Sequence, residues 1–404
     1  MKEQTQQGIL KTLVNVSRFL LACVFIFSGF VKANDPFGTV FKLQDYVHAF
    51  GLMGLPFFTL VIAAVGLAFL EFSLGIHLLF GMSRGAIARI TVLFMGIMTL
   101  LTAYIFAFNP VSDCGCFGDV LVLSNGQTFL KNIVLLAAAI INQRYHHLYI
   151  KIVGNNTQWL VTTFCSIYIV AYSIFCIYAL PVLDMSPYKI GTDLKAHDLK
   201  TANFYVTDAR TDDDITDSIV FHRGYTFLLV IPNLRHADEG CIDLVNEAYE
   251  YAADNGYAFY CLTGSADPED WEYWSDHTGA EYKYSLSDEQ ELKTVVRASP
   301  GLLLLKDGVI INKWSNYQLP DEYILTDRLE NLEIGQLAEA ETHQKVLNIL
   351  TYFILPLLAF VLIDRIGSGF VMYRHWKRKS KHLLKENDEE ETCSDKRGPI
   401  LPVA

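Results

Sequence analysis

Apolar residues fall in six blocks separated by short polar gaps and one long polar stretch. The blocks cover about residues 10–31, 56–79, 86–108, 129–141, 159–180 and 346–363. Most approach the roughly 20 residues an α-helix needs to cross a bilayer, so six membrane-spanning helices are expected, the fourth being short. The first block lacks a small-residue cleavage site and is expected to be a span, not a removed signal. Residues 32–54 read as an amphipathic loop whose Phe37, Phe41, Tyr46 and Phe50 suit the membrane interface.

The long polar stretch carries a different rhythm. Residues 225–231 are apolar and β-rich, too short for a helix, and predict a buried strand. Helical spacing follows over 241–255, a second strand over 257–262, then helices over 268–277 and 289–298. Pro300 opens a pair of strands, 302–305 and 309–311, with Lys306-Asp307-Gly308 as a hairpin turn. The expected fold class is therefore a membrane all-α bundle carrying an α/β domain. Its parts are a four-helix membrane domain (1–145), a loop and fifth span (146–182), an acidic α/β domain (183–344), a sixth span (345–372) and a disordered tail (373–404).

Composition agrees: 51% hydrophobic residues and a mean hydropathy of +0.25 exclude an ordinary soluble enzyme. The net charge of -12 hides a division. Residues 183–344 hold 31 Asp and Glu against 12 Lys and Arg, or -19, and the remainder is +7. No basic stripe with interleaved aromatics suggests nucleic acid, and the apolar blocks make a lipid bilayer the expected surroundings. Lys2, Lys11, Arg84, Arg89, Arg144, Lys151 and the basic start of the tail fall on one side of the spans. By the positive-inside rule both termini are expected in the cytoplasm of a multi-pass inner-membrane protein. The 113–119 loop and the acidic domain are then extracytoplasmic, on the oxidising side.

That loop, Asp113-Cys114-Gly115-Cys116-Phe117-Gly118-Asp119, holds the candidate chemistry. Gly115 permits the tight bend that a disulfide between Cys114 and Cys116 requires, and a small exposed ring is the easily exchanged kind. The carboxylates of Asp113 and Asp119 work against thiolate formation. Redox exchange, a permanently closed structural disulfide and metal binding are the readings open to this pair. No nearby Cys or His completes a zinc site, and a ring so small gains little chain-entropy stabilisation. Arg18 and Glu71 each lie ~12 Å from the inner ends of their spans at 1.5 Å per residue. Equal depth suggests an ion pair, serving as a clamp between helices or as a proton or quinone-head site.

Arg18, Phe27-Ser-Gly-Phe-Val-Lys32, Asp35-Pro36, Glu71 and above all Cys114-Gly-Cys-Phe-Gly118 resemble the DoxX-like four-helix membrane family, in particular its MauE branch. MauE-type proteins are implicated in maturing a disulfide-rich periplasmic dehydrogenase subunit, and DoxX-like relatives in quinone-coupled sulfur oxidation. The resemblance thus implies thiol–disulfide exchange with a quinone as a possible cofactor. Neither a methylamine pathway nor a quinone follows from the residues themselves. The order of strands and helices in the acidic domain resembles membrane-tethered TlpA-type thioredoxin-like proteins. That family's Cys-x-x-Cys is replaced here by Asp238-Glu239-Gly240-Cys241, so only the second thiol remains. Pro300, preceded by Ser299, would be the family's cis-proline. Two functions are expected from these features. In one, Cys114 or Cys116 exchanges disulfides with a client through a mixed disulfide, with Cys241 as a resolving or docking thiol or as inert packing. In the other, the chain is a non-catalytic assembly or client-binding factor with a structural Cys114–Cys116 bond.

Overall fold

Two glycines set the register of the central helix pair. Helix α1 (Lys2–Asn34) and helix α3 (Phe57–Phe80) run antiparallel. A Cβ on Gly29 would stand 2.5 Å from the Phe72 amide nitrogen, and one on Gly75 would stand 2.7 Å from that of Ile26. Only glycine allows backbones to approach this closely. The computed structural model of the chain describes residues 2–51, 55–111, 115–121, 123–196, 204–279, 282–337 and 342–395.

Between α1 and α3 lies α2 (Pro36–Ala49), capped by Asp35, whose side chain accepts from the Gly38 amide at 2.8 Å. With Pro36 at its first position, this gives a helix start where the sequence suggested only an interfacial loop. Val40 seats α2 against Leu60 and Ala64 of α3. Helix α4 (Arg84–Phe108) and α5 (Asn125–Arg144) complete a four-helix core with α1 and α3, around Leu21, Phe25, Leu78, Met95 and Leu135. On the other flank, α6 (Gln158–Ala179) and the long α11 (Thr342–Asp395) pack on α3 through Phe72, Ile76, Ile169, Tyr172 and Leu357.

Five described helices are long and apolar enough to cross a membrane: α1, α3, α4, α6 and α11. The expected short fourth span is the 20-residue α5. It is long enough to cross but less apolar, because Asn132 and Asn142 are spent on neighbouring helices, Asn132 bonding to the Thr102 hydroxyl and Asn142 to that of Ser17. The expected disordered tail is corrected as far as Asp395, where α11 ends. Its Lys, Arg, Glu and Leu are strong helix formers, and no glycine or proline interrupts them between 370 and 395.

Residues 183–337 form an α/β domain. Its mixed six-stranded sheet has the order β1-β4-β3-β2-β5-β6. The strands are β1 (Thr207–Asp208), β2 (Tyr225–Ile231), β3 (Ala258–Thr263), β4 (Tyr284–Leu286), β5 (Gly301–Lys306) and β6 (Val309–Ser315). Strands β2, β3 and β4 run parallel, while β5 and β6 are antiparallel additions at one side. Every residue of β2 is buried. Phe227, Leu229 and Ile231 face α8 (Ile242–Asn255) and α9 (Pro268–Thr278), and Leu228 and Val230 face α7 (Thr216–Val220) and α10 (Glu289–Val295). Helices cover both faces, as parallel strands require.

The domain is strapped onto the end of the bundle. Asn34, the last residue of α1, donates to the Leu183 carbonyl at 2.8 Å and accepts from the Leu183 amide at 3.1 Å. Tyr172 of α6 donates to the same Asn34 oxygen at 2.9 Å. Arg297 pairs with Asp35 at 3.0 Å, and Ser315 donates to the Tyr178 carbonyl at 2.7 Å. At the opposite end Asp364 of α11 accepts from the Gly154 amide at 3.0 Å and the Thr157 hydroxyl at 2.5 Å.

Candidate functional site

The loop carrying the cysteines is tied at its base. Asn109 ends α4 in the left-handed region, and Asn125 at the start of α5 donates to both the Asn109 side chain and the Val111 carbonyl. Ser124 and Gln127 form a capping box that starts α5. Gly115 has φ of +63° and lies against Lys42, whose Cγ would stand 2.8 Å from an added Cβ, so the turn there needs glycine. Asp113 and Cys114 lie outside the described residues, as does the side chain of Asp119. Cys116 is half-buried, and Phe117 is buried beneath the Lys131 ammonium, 4.1 Å from its ring.

What holds the loop to the bundle is a buried lysine. The Lys32 ammonium donates to the Cys116 carbonyl at 2.9 Å, the Ser28 hydroxyl at 2.7 Å and Glu71 Oε2 at 2.8 Å. The Ser28 hydroxyl also donates to the Cys116 carbonyl, at 2.8 Å. The side chains of Lys32 and Glu71 are only 5% and 4% exposed. Three oxygen acceptors satisfy the ammonium, which is what makes a buried cation tolerable.

The expected Arg18–Glu71 pair is therefore corrected: Glu71 is paired with Lys32. Arg18 lies about 21 Å from Lys32 along α1, at 1.5 Å per residue. The Gly29 and Gly75 contacts put Glu71 beside the end of α1 that meets the loop. Arg18 is left beside Gly81, where it donates to the Ile150 carbonyl at 2.8 Å and stacks over Tyr149 at 5.1 Å. Lys32 and Ser28 stood in plain sight as an i, i+4 pair on one helix face. Depth counted from estimated span ends could not supply the register that makes them partners of Glu71.

Among the described residues, two cavities border the loop. One, of about 30 Å³, is a partly open recess lined by Ser28, Glu71, Cys116, Lys131 and Asn132 among apolar side chains. It has room for a water-sized molecule, and a quinone head group does not fit it. The other, of about 350 Å³, is bordered by Gly115 and Gly118 of the loop, Asp35 and Phe41 beside α1 and in α2, and Thr294 and Arg297 of the α/β domain. The loop and the α/β domain thus share one end of the bundle.

Cys241 is not brought to the loop. It sits in the core between the sheet and α8, 6% exposed, and donates weakly to the Asp238 carbonyl at 3.6 Å. Burial, with the nearby Asp238 carboxylate as a second cause, pushes its thiol up to about 11, so it is a poor nucleophile at neutral pH. Asp238 accepts from Asn316 at 2.7 Å and from the Gly240 amide at 3.0 Å. Its own amide donates to the Ser299 carbonyl at 3.0 Å, and the Ser299–Pro300 peptide bond is cis. Asp238, Ser299 and Pro300 are thus adjacent, while Cys241 beside them faces inward.

Comparison with known proteins bears on the membrane part. Residues 10–142 match the family of methylamine utilisation protein MauE. Over 135 residues the chain is 36% identical to the inner membrane protein YqjF of Escherichia coli (strain K12), covering 33% of this chain and 81% of that protein. No solved structure matches the chain. The buried Lys32–Glu71 pair and the loop it grips both lie within the matched region, and through that region the chain belongs to the MauE family.

Proposed function

We propose that this chain is a membrane thiol–disulfide exchange protein whose Cys114-Gly115-Cys116 loop forms or transfers disulfides in extracytoplasmic client proteins. The carrying observation is the anchoring of the Cys116 carbonyl by Lys32 and Ser28 over a buried ion pair. Two donors on one carbonyl fix the loop backbone, and a reacting group is effective only when its geometry is held. The far side of the loop borders the larger cavity, where a client segment can reach it. The concentration of Lys and Arg near the end of the bundle away from this cavity supports an extracytoplasmic, oxidising side for the loop.

In this reading the α/β domain is thioredoxin-like: β2 lies between parallel β3 and antiparallel β5, and Asp238 meets Ser299 beside Pro300. With Cys241 buried, it holds clients and performs no exchange of its own. That burial also favours a second reading, a client-holding assembly factor with a structural Cys114–Cys116 bond. A Cys116→Ser chain, which keeps Cys114 as a lone loop thiol, separates the two. Exchange chemistry gives a client adduct that survives non-reducing electrophoresis and disappears with dithiothreitol. Absence of any adduct, together with full client maturation by a Cys114→Ser/Cys116→Ser chain, leaves only the holding role.

A further inference from the structure

We infer that the end of the bundle opposite the cysteine loop binds the phosphate of an anionic phospholipid through Arg18, Arg84 and Arg365. Three helices each send an arginine to one short segment, residues 147–152 between α5 and α6. Arg84, the first residue of α4, donates to the His147 carbonyl at 3.3 Å. Arg18 of α1 donates to the Ile150 carbonyl at 2.8 Å. Arg365 of α11 donates to the Lys151 carbonyl at 3.3 Å and to the Ile152 carbonyl.

All of these acceptors are neutral. Among the described residues no carboxylate pairs with any of the three arginines. Asp364, beside Arg365 in sequence, turns its carboxylate to the Gly154 amide and the Thr157 hydroxyl. Three guanidinium groups against that one carboxylate leave positive charge in excess, and Arg18 and Arg84 are near enough to repel one another. Arg18 is 6% exposed, and the Nε–H groups of Arg18 and Arg84 are both buried without an acceptor. A buried guanidinium calls for acceptors for its five donors and a counter-ion for its charge. Helix α4 also begins here with no side-chain cap, so its amide end adds to the positive potential.

A phosphate supplies both needs, because its oxygens match the planar fork of arginine. The surroundings are those of a lipid. Trp159, exposed in the first turn of α6, has the place of an interfacial belt residue. Ile150, whose carbonyl Arg18 holds, and Leu13, a little over one turn from Arg18 on α1, leave apolar side chains exposed for the acyl chains. Basic sites between spanning helices at headgroup level are of the kind that bind anionic lipids. A phosphate shared by Arg18 and Arg84 fastens α1 and α4 to the connection between α5 and α6, so the lipid stabilises the bundle.

The test uses the full chain, delipidated in dodecyl maltoside and titrated with dioleoyl phosphatidylglycerol or dioleoyl phosphatidylcholine. Native mass spectrometry counts the lipid retained, and tryptophan fluorescence follows thermal unfolding. Phosphatidylglycerol is expected to stay bound and raise the Tm, the more so at low salt, while phosphatidylcholine does neither. Arg18→Gln or Arg84→Gln weakens phosphatidylglycerol binding by roughly 10-fold, the low end for a lost charge-assisted hydrogen bond. Arg89→Gln removes the same charge at the same end, but Arg89 is exposed and donates to the Gly85 carbonyl of its own helix at 3.1 Å. Its loss is expected to change the affinity less than ~2-fold. Equal retention of the two lipids, or a loss in Arg18→Gln and Arg84→Gln no greater than in Arg89→Gln, overturns the inference. Inorganic phosphate raising the Tm as much as phosphatidylglycerol at equal concentration also overturns it, since the site then takes a free anion. If Arg18→Gln fails to fold, the half-buried Arg84→Gln and the lipid preference of the unaltered chain decide.

Discussion

Removing Lys32 tests both the ion pair and its register. At 2.8 Å the direct attraction between Lys32 and Glu71 is about 6 kcal/mol at an effective dielectric near 20. Burying the two ions costs several kcal/mol each, so the pair as a whole is close to neutral while either half alone is a liability. Lys32→Met leaves the Glu71 carboxylate buried without its cation and takes one donor from the Cys116 carbonyl, which keeps the Ser28 hydroxyl. The expected cost is about 3–5 kcal/mol, and a similar cost attends Glu71→Leu through the stranded ammonium. The double replacement should cost less than either single change, since it removes both buried charges at once. Unfolding in mixed micelles by sodium dodecyl sulfate titration, followed by tryptophan fluorescence, measures all four corners of the cycle. The same cycle for Arg18→Met with Glu71→Leu should be additive within ~0.5 kcal/mol, as for residues far apart. Additive Lys32 and Glu71 effects, or strong coupling of Glu71 to Arg18, would refute the register derived from Gly29 and Gly75.

Two further outcomes follow from the structure. Alkylation of Cys241 in the folded chain should show a midpoint near its raised value of about 11, falling to ~8.5 on unfolding. Because the folded thiol holds its proton more tightly, its contribution to stability is complete below the unfolded pKa. That contribution drains away as pH rises toward the folded one; Cys241→Ser chains should lack this alkaline loss and keep client adduct formation. Gly29→Ala drives a methyl to 2.5 Å from the Phe72 amide, so α1 and α3 must separate at a cost of about 1–3 kcal/mol. The same titration detects it, and an unchanged midpoint would mean that the helices do not touch there.

Much of the architecture was legible because burial writes a period into the chain. The long apolar runs announced helices, and the uninterrupted run Tyr225–Ile231 announced a strand covered on both faces. Strand β4 was missed because Tyr284–Leu286 spans three residues with a single fully buried one, too short for any period to emerge. Helix α2 was missed because its signals, Asp35 as cap and Pro36 at the first position, were outweighed by scattered aromatics. The candidate site was half legible. The cysteine spacing marked the loop, but the partner of Glu71 depends on how two helices slide past one another. That offset is decided by Gly29 and Gly75, each meeting a backbone that only the folded pair reveals.

The clasp of Asp364 on Gly154 and Thr157 has a bearing on biogenesis. Its carboxylate comes after the whole α/β domain in the chain, yet it closes onto a segment made more than a hundred residues before the domain is finished. During synthesis the four-helix core can therefore assemble first and the domain fold second on a single tether. The last helix then latches the unit shut, so a chain truncated before residue 342 would leave the Gly154 amide without its carboxylate, while the domain stayed strapped through Asn34, Asp35 and Tyr178.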